Sequence, residues 1–180
     1  NIKLNTKKIL DNLEITHIKG DIADKVLVRQ ILNGSHPKSL KRSINGILHL
    51  AAYIDVTESC QEPIKYYANN TFASFSFFET IVEENKNMKK DIPLVFSSTC
   101  AVYGQPRQLP IKETNPINPI NPYGKSKFFA EQFLDYFGKY YGLRSIIFRF
   151  FNAAGADLDG EIGEDHDPET HLIPKILEKI

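Results

Sequence analysis

Tyr123 and Lys127 stand four positions apart in the stretch NPYGKSKFFAEQF, residues 121–133. On a helix that spacing puts both side chains on one face, within reach of each other. A phenol with a pKa near 10 is a poor base at neutral pH. An ammonium beside it stabilises the phenolate, and the tyrosine then becomes a usable acceptor for the proton of an alcohol. The same pattern also describes an ordinary aromatic and an ordinary charge on a packed helix. What surrounds it has to decide.

A second group of candidates lies upstream in LVFSSTCAVYG, residues 94–104. It reads as a buried strand opening into Ser97, Ser98 and Thr99 at its carboxyl end, which is where open α/β sheets bind ligands. Any one hydroxyl there is an ordinary turn residue. The run of three points toward a crevice shared with the tyrosine and lysine.

The elements that must position these groups follow from hydrophobic periodicity. Strands are expected at 14–21, 45–51, 92–98 and 144–152, with helical patterns between them. One helix is expected over 24–33, with Val26, Leu27, Gln30 and Ile31 on its buried stripe, and a longer one over 63–84 that offers Tyr66, Tyr67, Phe72, Phe75, Phe78, Ile81 and Val82 for burial. Residues 104–122 hold five prolines and read as a stiff extended loop. That loop delivers the chain to the helix of Tyr123, where Phe129, Phe133, Phe137 and Tyr140 recur at near-helical spacing and Gly142 supplies the stop. Alternating strands and helices predict an α/β fold with a parallel sheet.

Composition sets the outer bounds. The 180 residues are 42% apolar and 24% charged, as expected of one globular domain. Lys plus Arg and Asp plus Glu balance at 22 each, so no overall field recruits nucleic acid or an anionic membrane. Cys60 and Cys100 have no metal-like spacing and make no disulfide framework, which points to a reducing cytoplasm. No apolar run approaches a membrane span, and the first residues lack the apolar core of a signal peptide. The acidic stretch 161–171, with His166 and His171, matches no zinc or calcium pattern and reads as a solvated loop. His49 reads as a packed or hydrogen-bonded histidine, and the lysine-rich run 86–90 as an exposed helix end.

The order KGDIAD, HLAA, YYANN, SSTCAVYG, NPYGKSK, RFFNAAG and PETHLIP resembles the extended short-chain dehydrogenase/reductases, most closely their UDP-glucose 4-epimerase branch. The likeness runs from about Asp21 onward. It implies a partial doubly wound, Rossmann-like domain over 1–180, with 153–180 leading into the substrate region. It also implies NAD as cofactor and a UDP-sugar as substrate. By that resemblance Tyr123 is the catalytic base, Lys127 binds the nicotinamide ribose and tunes the tyrosine, and Thr99 hydrogen-bonds the sugar O4. Asp21, Ile22, Leu50, Ala51, Ala52, Asn70, Ser97 and Phe151 fall to the cofactor, and Asn152, Thr170, His171 and Leu172 to the nucleotide sugar. A homodimer through the helices at 63–84 and 122–141 is implied as well. The implied reaction interconverts UDP-glucose and UDP-galactose through a 4-keto intermediate.

Two departures qualify the resemblance. The dehydratases of the same superfamily carry an acid/base Asp-Glu pair after the strand-end Thr, whereas Thr99 is followed by Cys100 and Ala101, which favours epimerisation. The glycine-rich turn that cradles the pyrophosphate is not found at its spacing. The first βαβ portion and the C-terminal substrate region are therefore expected to be missing. Two readings stay open: an epimerase segment, for UDP-glucose or for another UDP-sugar, and an inactive remnant that binds or dimerises with a relative.

Overall fold

The computed structural model describes residues 15–39, 43–155, 157–159, 169 and 171–179. The chain divides into two compact units, residues 18–151 and a second made of 1–17 with 152–180.

In the first unit three strands, β1 (Ile47–His49), β2 (Leu94–Thr99) and β3 (Ser145–Phe150), form a parallel sheet in the order β1-β2-β3. Ile47 pairs with Leu94, and Leu94 in turn with Ser145. Parallel strands need a crossover between them, and helices supply it. α1 (Lys25–Leu32) precedes the sheet. Between β1 and β2 run α2 (Val56–Gln61), α3 (Pro63–Tyr66), a π-helical stretch (Tyr67–Ala73) and α4 (Ser74–Met88). α5 (Pro122–Tyr141) joins β2 to β3. The α/β class and the partial Rossmann-like sheet expected from the sequence are what the structure has.

One side of the sheet carries the core. Phe78 and Ile81 from α4, Leu94 and Phe96 from β2, and Ala130, Leu134 and Phe137 from α5 pack together, with Val28 and Leu32 of α1 at the margin. α5 is long because its burial repeats at helical spacing: Gly124, Lys127, Ala130, Glu131, Leu134 and Phe137 share one face. Asn121 caps its start by accepting from the Gly124 N–H at 2.7 Å, Pro122 fills the first turn, and Gly142 ends it in the left-handed conformation.

Several expectations need correction. The described part of 14–21 is not a strand, because among the described residues no ladder partner lies beside it. α1 buries Val28 and Leu32, one turn apart, and leaves Val26 exposed, so the stripe is rotated from the expected one. The expected helix over 63–84 is three pieces, and the π stretch turns Phe72 out to solvent, where it is 66% exposed. Helix α2 was not expected. Asp55 creates it by accepting from the Glu58 N–H.

In the second unit, α6 (Leu172–Leu177) follows His171, whose N–H and ring nitrogen both meet the Glu169 carboxylate, at 2.6 and 2.8 Å. Apart from Glu169 and His171, the acidic stretch 161–171 lies outside the described residues, as does Thr170. No helix among the described residues is long and apolar enough to cross a membrane.

Candidate active site

β2 leads directly into the site. Its buried residues Phe96 and Ser98 point toward α5, and Thr99 ends the strand. The chain then makes a 3-10 turn, Cys100–Tyr103, which Thr99 caps by accepting from the Ala101 N–H at 3.1 Å. Gly104 leaves the turn with φ +63°, and a Cβ there would sit 2.0 Å from the Asn118 carbonyl oxygen, so the position needs glycine for both conformation and space.

The start of α5 is pressed against that turn. A Cβ on Gly124 would lie 2.7 Å from the Ala101 carbonyl oxygen. The bare glycine lets the helix approach close enough for the adjacent Tyr123 to meet Thr99. Tyr123 is half-buried, and Tyr66 meets its ring edge-on at 6.4 Å. Tyr66 is itself fully buried and donates to Glu58 at 2.8 Å, which fixes that wall.

The electrostatics differ in one respect from the simple tyrosine-lysine picture. Burial pushes the Tyr123 phenol up, its hydrogen-bonding neighbour Thr99 pulls it down, and Cys100 adds a smaller upward push. Lys127 is not among the groups that move it. The Lys127 ammonium lies 4.7 Å from the centre of the Phe96 ring, over its face, and the side chain is 3% exposed. Burial takes its pKa down to about 8, with the Glu131 carboxylate working against that fall. His49, at the end of β1, bonds Ser74 Oγ at 3.1 Å and touches the rings of Phe77, Phe78 and Phe96. Burial, with Lys127 adding to it, takes its pKa down to about 4. It is a neutral packed histidine at pH 7.

The structure brings Thr99, Tyr123 and Lys127 together and spreads the other candidates. Leu50, at 58% exposed, with Ala51 and Ala52, forms an open strip after β1. Asp21 and Ile22 lie before α1, with the Asp21 carboxylate accepting from the Ala23 N–H at 2.8 Å. Ser97 is on the opposite face of β2 from Ser98, and Phe151 is exposed just past β3. Asn70 is hydrogen-bonded within the protein. Its Oδ1 accepts from Tyr53 N–H and Asn69, and its Nδ2 donates to Tyr53 C=O and Ser126 Oγ. With both donors and both acceptor positions used, it ties the loop after β1 to α5. It does so from within the π stretch, where an extra residue in the turn re-aims side chains. Asn152, His171 and Leu172 belong to the second unit.

The family model described as GDP-mannose 4,6-dehydratase matches residues 2–178. The chain belongs to that family. Curated relatives of this family member include UDP-glucose 4-epimerases of Lacticaseibacillus casei, 42% identical over 94% of the chain and 51% of the relative, and of Lactobacillus helveticus, 45% identical over 88% and 44%. The chain thus spans about half the length of the curated relatives it matches. Among solved structures, UDP-glucose 4-epimerase from Brucella ovis in complex with NAD is similar at TM-score 0.78 and 37% identity, over 95% of this chain and 55% of that one. The enzyme from Bifidobacterium longum in complex with NAD+ and UDP is similar at TM-score 0.74 and 30% identity, over 89% and 45%.

This GDP-mannose 4,6-dehydratase family member also holds a buried polar cluster that sequence spacing did not single out. Glu131 on α5 accepts from Ser98 Oγ and takes a forked contact from Arg149 of β3, with Nη2 to Oε2 at 2.7 Å and Nε to Oε1 at 3.1 Å. Arg149 Nη1 also donates to Tyr103 Oη at 2.7 Å. The available signal was a carboxylate on the apolar stripe of α5, one turn beyond Lys127 and two beyond Tyr123.

Proposed function

We propose that the chain carries the catalytic segment of an NAD-dependent UDP-sugar 4-epimerase that interconverts UDP-glucose and UDP-galactose. The observation that carries the reading is the meeting of Tyr123 and Thr99 at the carboxyl end of β2, beside the buried Lys127 ammonium.

The residues present fit the nicotinamide end of NAD. The buried Lys127 ammonium lies over the Phe96 ring, and its N–H donors suit ribose hydroxyls. Leu50, Ala51, Ala52, Asp21 and Ile22 would line the rest of the cofactor, with Ser97 and Phe151 nearer its reactive end. NAD, when bound, accepts a hydride from the sugar carbon and returns it.

The chain's own groups handle the proton and the orientation. Thr99 holds the sugar 4-hydroxyl by a hydrogen bond, and Tyr123 takes that hydroxyl's proton as the carbon is oxidised. Burial holds the phenol up, and the Thr99 hydrogen bond is what favours its ionised form. Tyr123 then returns the proton to the 4-oxygen as the rotated 4-keto carbon is reduced on its opposite face. Asn152, Thr170, His171 and Leu172 would hold the nucleotide sugar.

A homodimer forms part of the proposal. Phe75, Val82, Phe133, Tyr136, Phe137 and Tyr141, together with the carboxylates of Glu79 and Glu83, line a groove of about 290 Å³ between α4 and α5. That groove equally suits the second reading, a non-catalytic chain that pairs with a relative.

The test is to denature the purified chain and quantify the NAD(H) released per mole. Near-stoichiometric release with UDP-galactose turnover is expected for the first reading, and Tyr123→Phe should lower turnover by about 10²–10⁴-fold with NAD retained. A folded protein that releases no NAD(H) and turns over no UDP-sugar would establish the second.

A further inference from the structure

Lys127 and Glu131 are both buried, at 3% and 5% exposed, and stand one turn apart on the same face of α5. Glu131 is also where three other pieces of the site converge. Ser98, the residue before Thr99, donates to it from β2; Arg149 grips it from β3; and Arg149 reaches on to Tyr103 in the turn that follows Thr99. A carboxylate held by a fork of guanidinium N–H groups and a hydroxyl has little rotational freedom. Its charge is therefore fixed in place relative to the lysine.

We infer that Glu131 is a positioning residue of the tyrosine-lysine pair, acting as the fixed counter-charge of Lys127 and as the tie that registers α5 against the strand end bearing Thr99. The inference rests on the proposed function for its purpose, but its physical content concerns Lys127 alone. An ammonium buried over an aromatic ring loses its hydration, and a base in that position tends to lose its proton. The neighbours that face it are unequal. From its own helix come Tyr123, which is neutral at pH 7, and Glu131; from β1 comes the neutral His49; from β2 comes the Phe96 ring. Arg149 of β3 is engaged by the carboxylate and is not among the charges acting on Lys127. The Phe96 face attracts the cation weakly, and among the charged groups acting on it Glu131 alone favours the form that the proposed chemistry requires.

The experiment follows the charge of Lys127 directly, without cofactor or turnover. The 180-residue chain is labelled with 13C at lysine Cε, the Lys127 resonance is assigned by its loss in Lys127→Arg, and its chemical shift is followed against pH. In Glu131→Gln, which keeps the side chain's size and a carbonyl for Arg149, the titration midpoint is expected to fall below that of the wild type. In Glu131→Asp, which keeps the charge, it should be restored toward the wild type. An unchanged midpoint in a folded Glu131→Gln protein would overturn the inference, since a merely structural tie would leave the lysine's proton affinity alone. If Glu131→Gln fails to fold, the double variant Glu131→Gln, Arg149→Met removes both charges of the pair and reads the same quantity. A fall supports the inference there and an unchanged midpoint overturns it. Absence of bound NAD would sink the proposed function and leave this titration unaffected.

Discussion

The two faces of the sheet are built on different terms. Toward α4 and α5, His49, Leu94 and Phe96 are at most 3% exposed, and the side chains that reach the site are locked by ring contacts and hydrogen bonds. On the other face Leu48, Ile146, Phe148 and Phe150 are between 46% and 61% exposed. Parallel strands are ordinarily covered on both sides. Tyr123 and Lys127 are placed from the covered face by α5, and Thr99 joins them from the end of β2. Core, cap, glycine contact and buried ion pair all lie on the covered side.

The largest effect expected on that face is a gain in stability. Lys127 has its pKa taken from 10.5 down to about 8, so at neutral pH the folded chain keeps the cation, but at a cost in stability that the unfolded chain does not bear. Between those values the unfolded chain keeps a proton that the folded chain has released, so wild-type stability should rise with pH across that window. Lys127→Met removes the burdened charge and keeps the packing over Phe96. It should stabilise the protein at pH 7 by on the order of 3 kcal/mol and abolish the rise above pH 8. Urea melts of both proteins from pH 6 to 10 would measure it. A destabilised variant would mean that the lysine is satisfied where it lies, and that the covered face carries no stored strain for function.

The next effect is steric and sits at the meeting of helix and turn. Gly124→Ala would place a methyl 2.7 Å from the Ala101 carbonyl, backbone against helix start, with no flexible side chain to give way. A loss of about 1–3 kcal/mol is expected, as for overpacking a closed site. The same shift would part Tyr123 from Thr99, so the Tyr123 phenol should titrate higher than in the wild type, having lost the hydrogen bond that opposes its burial. Tyrosine absorbance titration beside a thermal melt checks both. A variant of wild-type stability and titration would show that the turn can retreat.

How much of this was legible in the sequence depended on the range of the interactions. α5 and β2 could be read because their signals are local: an Asn-Pro cap, a 3.6-residue apolar repeat, a strand ending in hydroxyls, and a glycine stop. Thr99, Tyr123 and Lys127 came with them, through the spacing and a family resemblance. The Glu131–Arg149–Ser98 cluster joins positions far apart in the chain, and no local period announces it. The internal hydrogen bonding of Asn70 was not legible for a related reason. Its fate depends on the π stretch, which rotates Phe72 outward and Asn70 inward, and a regular 3.6-residue reading cannot anticipate an added residue in the turn. The segment 15–21 failed as a strand because β character in a parallel sheet comes from a neighbouring ladder, which its own residues do not encode.

The smallest expected effect lies on the open face, and it tests the comparison from the other side. Phe148 is 49% exposed in the middle of β3, next to Phe150 at 5.9 Å between ring centres. Its neighbour in sequence, Arg149, points to the covered face and reaches Glu131. Replacing Phe148 by Ser removes a large apolar side chain that gains little from burial. Stability to urea should change by no more than about 0.5 kcal/mol, the range usual for surface substitutions. Self-association driven by the exposed rings should fall, visible as less light scattering at high protein concentration. A loss of several kcal/mol would mean that Phe148 is buried in solution against a covering element. The two faces would then be alike, and the contrast between them would fail with that result.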